Sequence, residues 1–370
     1  MTERIVPKNS PSLRYAVDSL EREQWNELVS LFDDATIHQT WSWGELCWSN
    51  KQMSNLVVYE GEEIVAAAQV IIVSLPVIGA GIAHCKFGPM WRRTGQAERP
   101  DLYQYTLEAM TEAYSRQRNL LLRVKPWEAD DDSARYARLR AAAGMHQRSG
   151  EDTYDTFVVD ASRSLEDLRA GFASKWRYNL KKSEKRNLEV TAGNDRDAAD
   201  VYMQLYSQMR QIKSYDDHSE VAILLSLMDD LPEQLRPTVF TAIHDGQPAA
   251  SIVVSHIGRV GYYLFGATGK LGRDTGASYL LFWEALSWLH SRDCTWFDLV
   301  GSRPQTPNGR HGYRQFKAGV VGKANGAEVS MKDWEACSSL RSRIVVAGGG
   351  WIRGRLPTLN RSKADVTSTQ

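Results

Sequence analysis

The order of predicted elements repeats once along this chain, and that repeat constrains the fold more than any single motif. In each half, a helical stripe precedes a strand hairpin, a further strand, a helix and a last strand. The hairpin turns fall at residues 60–63 and 244–247, where glycine stands beside an acidic residue. Because hairpins occur alongside helix-linked strands, we predict mixed α/β sheets rather than a doubly wound parallel sheet.

The pattern restarts near Asp160, and a chain of 370 residues is long enough for two cores. We therefore predict one domain over residues 1–160 and a second over 161–335. Residues 336–370 form a basic tail, in which arginines and one lysine occur with no acid between residues 338 and 363. Such a tail either packs back on the first domain or stays disordered, and contact with a phosphate-rich partner is the alternative.

Composition excludes several classes of protein. Lysine plus arginine (45) equals aspartate plus glutamate (45), so the whole-chain charge indicates no partner. Four cysteines lie far apart, which is typical of reduced thiols, and neither they nor the histidines show a metal-binding spacing. The N-terminus does not resemble a signal peptide, and no apolar run is long enough for a transmembrane segment. We expect a cytoplasmic protein without a metal.

The densest charge cluster lies between Arg169 and Asn187, with seven basic residues and one acid. Helical spacing places Arg177 and Lys181 on one face and Lys175 and Lys182 on a second. Like charges this close repel one another, and a bound anion relieves the repulsion. A solvated helix face is the alternative, but the interleaved aromatic residues favour an anion site.

A predicted strand near the C-terminus leads into a loop over residues 302–311 that is rich in glycine and proline. After it the chain presents Tyr313, Arg314, Phe316 and Lys317. Cationic donors beside a flat ring suit an anionic or carbonyl substrate. The alternative for Lys317 is a surface lysine that follows a buried phenylalanine.

A second glycine-rich stretch, residues 266–278, precedes an apolar helix. Glycines at a helix N-terminus can bind phosphate through backbone N–H groups. Residues 273–278 are similar to the pyrophosphate loop of GCN5-type acetyltransferases, but Ser278 stands where that loop has a smaller residue.

Three segments together resemble the Fem family of peptidyl aminoacyltransferases. The first is QTWSW at 39–43 with the hairpin at 57–75 and the Gly-Pro pair at 88–89; the second is the basic segment at 176–190. The third comprises YLLFWE at 279–284, FDLVG at 297–301 and YRQFKAG at 313–319, and its last part is the most specific. The resemblance spans residues 38–322.

This resemblance implies two tandem GCN5-like (GNAT-like) acyltransferase domains. It implies transfer of an amino acid, carried as an ester on tRNA, to an amine of a peptide, usually a peptidoglycan precursor. The coiled-coil arm of some members is absent. No metal or redox cofactor is implied, and peripheral membrane contact is implied if the acceptor is lipid-linked.

The resemblance also implies residue roles. Phe316 and Lys317 occupy the family's Phe-Lys pair, which contacts the incoming aminoacyl end, and Tyr313 and Arg314 are their neighbours. The lysine would stabilise an oxyanion. Phosphates of the tRNA or of a nucleotide-linked peptide would be held by Lys175, Arg177, Lys181 and Lys182. Trp43 would either wall the peptide cleft or belong to the core.

Two other functions fit the same residues. An acyl-CoA-dependent N-acyltransferase would share the fold and use the glycine-rich stretch. A non-catalytic RNA- or anion-binding module would use the basic segment alone. Fold by itself does not choose among them.

Overall fold

The computed structural model describes residues 13–47, 52–75, 79–129, 133–150, 153–212, 221, 223–301 and 311–355. The strands are β1 Leu13–Val17, β2 Gln52–Glu60, β3 Glu63–Leu75, β4 Ala80–Lys86, β5 Leu121–Lys125, β6 His146–Gln147, β7 Tyr154–Asp160, β8 Leu188–Gly193, β9 Thr238–His244, β10 Gln247–Ile257, β11 Val260–Thr268, β12 Trp296–Asp298, β13 Gly326–Met331 and β14 Trp334–Ala336. The helices are α1 Arg22–Val29, α2 Trp41–Cys47, α3 Pro100–Met110, α4 Ser133–Ala142, α5 Leu165–Gly171, α6 Ser174–Glu184, α7 Arg196–Ile212, α8 Ile223–Asp230, α9 Lys270–Thr275, α10 Ala277–His290, α11 His311–Val321 and α12 Leu340–Arg355.

These strands form two mixed sheets of seven strands each within the described residues. The first has the order β1-β2-β3-β4-β5-β14-β6, and the second has the order β13-β7-β12-β11-β10-β9-β8. Neighbouring strands are antiparallel except for β4 with β5 and β11 with β12, which are parallel. The predicted mixed α/β class is confirmed. Below, the first and second domains are the halves built on the first and second sheets.

The predicted hairpin turns lie where expected. In the second sheet, Asp245 and Gly246 both have positive φ angles (50° and 75°) and connect β9 to β10. Two such residues form the type I′ turn that matches the twist of paired strands. In the first sheet, Gly61 has a φ of 63° in the turn between β2 and β3. Acidic-glycine turns therefore set the register of both hairpins.

The two domains share a hydrophobic core rather than being joined by a linker alone. One cluster of buried side chains combines α1 and Met90 of the first domain with α7, α8 and Phe265 of the second. The turn after β10 also approaches the first domain closely, because a Cβ on Gly258 would lie 2.4 Å from the Asp33 carbonyl oxygen. Apolar burial of this extent fixes the domains relative to one another.

The chain returns to the first domain at its C-terminal end. β14 inserts between β5 and β6, and α12 packs against β4 and β5. Ser342 of α12 is fully buried, donates to the Asn119 carbonyl and accepts the Gly81 N–H at 3.1 Å. β7 lies within the first predicted domain, residues 1–160, and yet pairs in the second sheet.

Two predicted features fall outside the described residues: residues 302–310 of the predicted loop, and 356–370 of the basic tail. Among the helices of the described part, none is both long and apolar enough to cross a membrane.

The docking of α12 can be tested at Ser342. Ser342→Ala leaves the Gly81 N–H and the Asn119 carbonyl without their partner, so we expect it to lower the free energy of unfolding by about 1–3 kcal/mol. Urea denaturation measures the change. Ser291→Ala removes an exposed hydroxyl at a helix end and should change stability by less than about 0.5 kcal/mol. Equal effects of the two variants would contradict the docking.

Candidate active site at the end of strand β12

The candidate site lies where the two parallel strands of the second sheet diverge. β11 and β12 pair over three residues only, after which β11 continues to Thr268 while β12 ends at Asp298. α11 carries Phe316 and Lys317 to this point. The pair therefore sits in the middle of a helix, which corrects the expectation that it ends a loop. Carboxyl ends of parallel strands are where open α/β sheets bind ligands.

Lys317 is buried, with 1% of its surface exposed, so it is not a surface lysine. Its Nζ donates to the carbonyl of Val300 and, at 3.0 Å, to that of Gly301. The Tyr313 ring centroid lies 4.0 Å from Nζ, and the Tyr263 ring lies 5.6 Å away on another side. Carbonyl dipoles and aromatic faces thus replace the water that an ammonium group loses on burial.

The backbone that faces Lys317 is in an unusual conformation. Val300 and Gly301 have φ angles of 53° and 54°, in the left-handed region. Glycine adopts this region freely, but a β-branched residue there costs about 1–3 kcal/mol. Two consecutive left-handed residues place both carbonyls against one ammonium group. The conformation of Val300 is the kind of strain that is found at functional sites.

Burial lowers the pKa of Lys317 to about 7, and the nearby Asp298 carboxylate opposes this shift. An ordinary lysine has a pKa of about 10.4 and would be fully protonated at neutral pH. Near pH 7, Lys317 therefore populates both the ammonium and the free amine. A group in this state can donate to a developing negative charge or accept a proton.

Asp298 is fully buried and collects donors from both domains. It accepts hydrogen bonds from the Thr156 hydroxyl, from Trp127 Nε1 at 2.8 Å and from the Val300 N–H at 2.8 Å. Burial raises the pKa of its carboxyl, while these donors oppose that shift. By binding the Val300 N–H, Asp298 orients the residue whose carbonyl accepts from Lys317.

Phe316 has a different environment from Lys317. Its ring packs against Phe282, Tyr279 and Trp176, with centroid distances of 4.9, 5.0 and 5.9 Å. Trp176 belongs to α6, so this aromatic cluster fixes α6 beside α11. The structure therefore gives Phe316 a packing role that positions both helices.

The four predicted phosphate-binding residues lie on the exposed side of α6: Lys175, Arg177, Lys181 and Lys182. The opposite side of this helix is buried through Trp176 and Leu180. Arg177 turns back to the Ala170 carbonyl at the end of α5. The helix therefore presents a basic surface next to the helix that carries Lys317.

The remaining predicted residues, Tyr313, Arg314 and Trp43, lie at different distances from the ammonium group. Tyr313 covers Nζ with its ring, whereas Arg314 is partly exposed and pairs with Glu328 of β13. Trp43 is buried in the core cluster shared by the domains and contacts the His38 ring at 4.9 Å. Of the two roles considered for Trp43, this position favours the core.

The glycine-rich stretch is largely folded into α9. Gly272 packs on the Ala249 carbonyl, and Lys270 forms an ion pair with Asp274 at 2.6 Å. Gly276 has a φ of 75° and begins α10, while the Ser278 hydroxyl is hydrogen-bonded to that of Thr268. Within this stretch, the first turn of α10 retains the geometry that suits an anion.

Sequence reasoning missed the residues that complete the site, namely Trp127, Tyr154, Thr156 and Tyr263. Trp127 had a usable signal, because it follows Pro126 directly after a predicted strand, at the carboxyl end where ligands bind. Thr156 had none, since its position inside β7 is ordinary for threonine.

A cavity of about 300 Å³ lies between the domains, close to this site, and Lys317 is not among the residues that line it. The first domain contributes Phe87 and Trp127 to it, and the second contributes Arg259 and Trp296. The Trp127 and Trp296 rings lie 6.4 Å apart. Trp127 is therefore shared by the cavity and by the hydrogen bonds of Asp298. Among the described residues, no cluster of histidine, cysteine or acidic side chains could hold a metal ion.

Comparison with known proteins agrees with this architecture. Residues 170–317 match the acetyltransferase (GNAT) domain family, a span that ends at Lys317. No curated protein shows significant sequence similarity to the chain.

Three solved structures show the fold. FemX has a TM-score of 0.70 at 12% identity, with 90% of this chain and 99% of FemX covered. A conserved protein of unknown function from Bacteroides thetaiotaomicron has a TM-score of 0.57 at 12% identity, with coverages of 87% and 98%. The C-terminal (DUF2156) domain assigned to a lysylphosphatidylglycerol synthetase of Agrobacterium fabrum has a TM-score of 0.51 at 13% identity, with coverages of 89% and 95%.

The molecule therefore has a tandem GNAT-like fold of the kind found in acyltransferases. Its arrangement of the two domains is Fem-like, which confirms at the level of the fold the resemblance predicted from the three sequence segments.

The lowered pKa of Lys317 predicts how stability depends on pH. The folded state holds this proton less tightly than the unfolded chain, so stability rises as pH increases from about 7 towards 10. The full shift corresponds to about 5 kcal/mol. Lys317→Met has no titrating group at this position and should lack this pH dependence. As pH rises from about 7 towards 10, the free energy of unfolding of wild type should therefore increase relative to that of Lys317→Met. A constant difference would place the folded-state pKa near the ordinary lysine value.

The hydrogen bond from Trp127 to Asp298 predicts a coupling across the domain interface. Trp127→Phe removes the indole donor that holds down the pKa of Asp298, so we expect the pKa of Asp298 to rise and the pKa of Lys317 to fall further. NMR titration of labelled lysine measures the shift. Trp296→Phe is the matched control, because it alters the neighbouring indole and should leave the Lys317 pKa unchanged. Identical titrations in all three proteins would refute the coupling.

Proposed function

We propose that this protein is an aminoacyltransferase that forms an amide bond between an amino acid carried on tRNA and an amine of a peptide or peptidoglycan precursor. The observation that carries the proposal is the buried Lys317, with its lowered pKa, at the open end of the second sheet. A buried ammonium group needs acceptors whatever its role, so the support comes from the lowered pKa of Lys317 together with its place at the carboxyl end of β12.

An aminoacyl ester is already activated, so the reaction needs no enzyme nucleophile. The acceptor amine attacks the ester carbonyl, its nitrogen bonds to carbon, and the carbonyl oxygen becomes negative. The bond to the ribose oxygen then breaks, and the proton lost by the amine passes to that oxygen. In our proposal the Lys317 ammonium donates to the oxyanion, exchanging one of its two carbonyl partners for it.

The exposed side of α6 supports a polyanionic donor. Lys175, Lys181 and Lys182 project from a helix that Trp176 and Phe316 fix beside α11. Phosphates of a tRNA acceptor stem, or of a nucleotide-linked acceptor, would neutralise these charges. The fold is also shared with a domain assigned to lysylphosphatidylglycerol synthetase, whose product name denotes an aminoacyl compound. Use of aminoacyl-tRNA would place the reaction in the cytoplasm.

An acyl-CoA-dependent N-acyltransferase is the second candidate. It is favoured by the match of residues 170–317 to the acetyltransferase family and by the glycine at the start of α10. The two candidates differ in the leaving group, which is a ribose hydroxyl for tRNA and a thiol for CoA.

The deciding experiment is a transfer assay with purified protein, total aminoacyl-tRNA bearing radiolabelled amino acids, and peptide or nucleotide-linked peptide acceptors. Our proposal requires a labelled amide product that ribonuclease treatment of the donor abolishes. Thiol release from acyl-CoA with no ribonuclease-sensitive product would favour the second candidate. Absence of any covalent product with either donor would favour a binding module.

The role of Lys317 predicts a pH dependence. Lys317→Ala should lower the transfer rate about 10²–10³-fold, the usual cost of removing one oxyanion donor. The acceptor amine titrates in the same way with both proteins, so its effect cancels in the ratio of the wild-type rate to the Lys317→Ala rate. This ratio should fall as pH rises through about 7, because the ammonium is lost. A ratio that rises with pH would instead make Lys317 a general base.

The basic side of α6 predicts a salt-dependent donor affinity. Lys181→Glu with Lys182→Glu should weaken binding of tRNA at least tenfold and reduce the slope of affinity against salt concentration. Arg138→Glu, an exposed change on α4, is the control and should have little effect. Equal affinity in both variants would remove α6 from the donor site.

A further inference from the structure

The first part of α12 exposes two large aliphatic side chains on one side of the helix. Leu340 and Ile344 are 70% and 63% exposed, and they stand four residues apart, so they lie on the same face. Exposed single hydrophobic residues are common, but neighbouring ones on a helix face indicate a contact surface.

The orientation of this face is fixed by the opposite side of the helix. Ser342 is buried between the Gly81 N–H and the Asn119 carbonyl, so α12 cannot rotate to bury Leu340 and Ile344. Gly81 belongs to β4, so this contact holds α12 against the first sheet. The side of the helix that carries Leu340 and Ile344 therefore stays exposed.

Positive charge accompanies the apolar side chains. Arg341 and Arg343 lie between Leu340 and Ile344 in the sequence, and both are exposed. From residue 338 to residue 363 the chain carries six basic residues and no acid. The partner of this surface should therefore combine negative charge with an apolar interior.

We propose that the α12 surface, defined as Leu340, Arg341, Arg343 and Ile344, docks the protein on an anionic lipid bilayer. A basic helix with an aliphatic face lies in the plane of a bilayer, with hydrocarbon side chains below the headgroups and arginines among the phosphates. RNA offers the same phosphates, but its bases are recognised by aromatic stacking, whereas the exposed apolar residues here are leucine and isoleucine.

The experiment measures partitioning of the full chain, without any substrate, onto vesicles of phosphatidylcholine with and without phosphatidylglycerol. Wild type should bind the vesicles that contain phosphatidylglycerol, and binding should weaken with added salt. Leu340→Ser with Ile344→Ser should lower the partition coefficient at least tenfold. Arg341→Gln with Arg343→Gln should lower it similarly at low salt.

Matched controls separate this surface from the rest of the molecule. Leu31→Ser and Arg116→Gln change an exposed leucine and an exposed arginine elsewhere in the first domain, and both should bind as wild type does. Thermal unfolding of each variant should match wild type, since every side chain changed is exposed.

The proposal fails if wild type does not bind the anionic vesicles, or if the serine pair binds as well as wild type. It also fails if the variant with Arg341→Gln and Arg343→Gln binds RNA less tightly than wild type does, while neither protein binds the vesicles. Because no donor or acceptor is present, these outcomes are independent of the proposed transfer reaction.

Discussion

The ammonium group of Lys317 has to be solvated by the protein, and much of the second domain is arranged around that requirement. Two carbonyls that accept from it come from consecutive left-handed residues, Val300 and Gly301. Asp298 holds the Val300 N–H and supplies a negative charge nearby. Aromatic rings close the remaining sides. Because water is excluded, the ammonium group holds its proton weakly and can lose it near neutral pH.

The first domain contributes to this arrangement through the shared interface. Trp127 follows β5 of the first sheet, yet its indole donates to Asp298 of the second. Trp127 packs against the rings of Tyr262 and Trp296 in the second domain, so the distance between its indole and Asp298 is set by side-chain packing. A tandem fold therefore allows one domain to adjust the electrostatics of a site that belongs to the other.

Sequence patterns predicted the fold well because turns and periodicity are local. Asp245 and Gly246 predict a hairpin turn, and the apolar residues of α10 are evident from the sequence alone. The site was harder to predict. Lys317 was found through a family motif, but its burial could not be deduced, since a lysine that follows phenylalanine is usually exposed. Trp127 and Thr156 meet Asp298 from 171 and 142 residues away, and such distant contacts leave no trace in periodicity.

The insertion of β14 also has a consequence for how the protein is made. The strand that separates β5 from β6 comes from residues 334–336, and β6 pairs with that strand in the described sheet. The first sheet therefore cannot acquire its final order until residues 334–336 have left the ribosome. The second sheet needs β13, at residues 326–331, which immediately precedes β14. The two sheets are therefore completed almost together, although six of the seven strands of the first sheet have been made by residue 147.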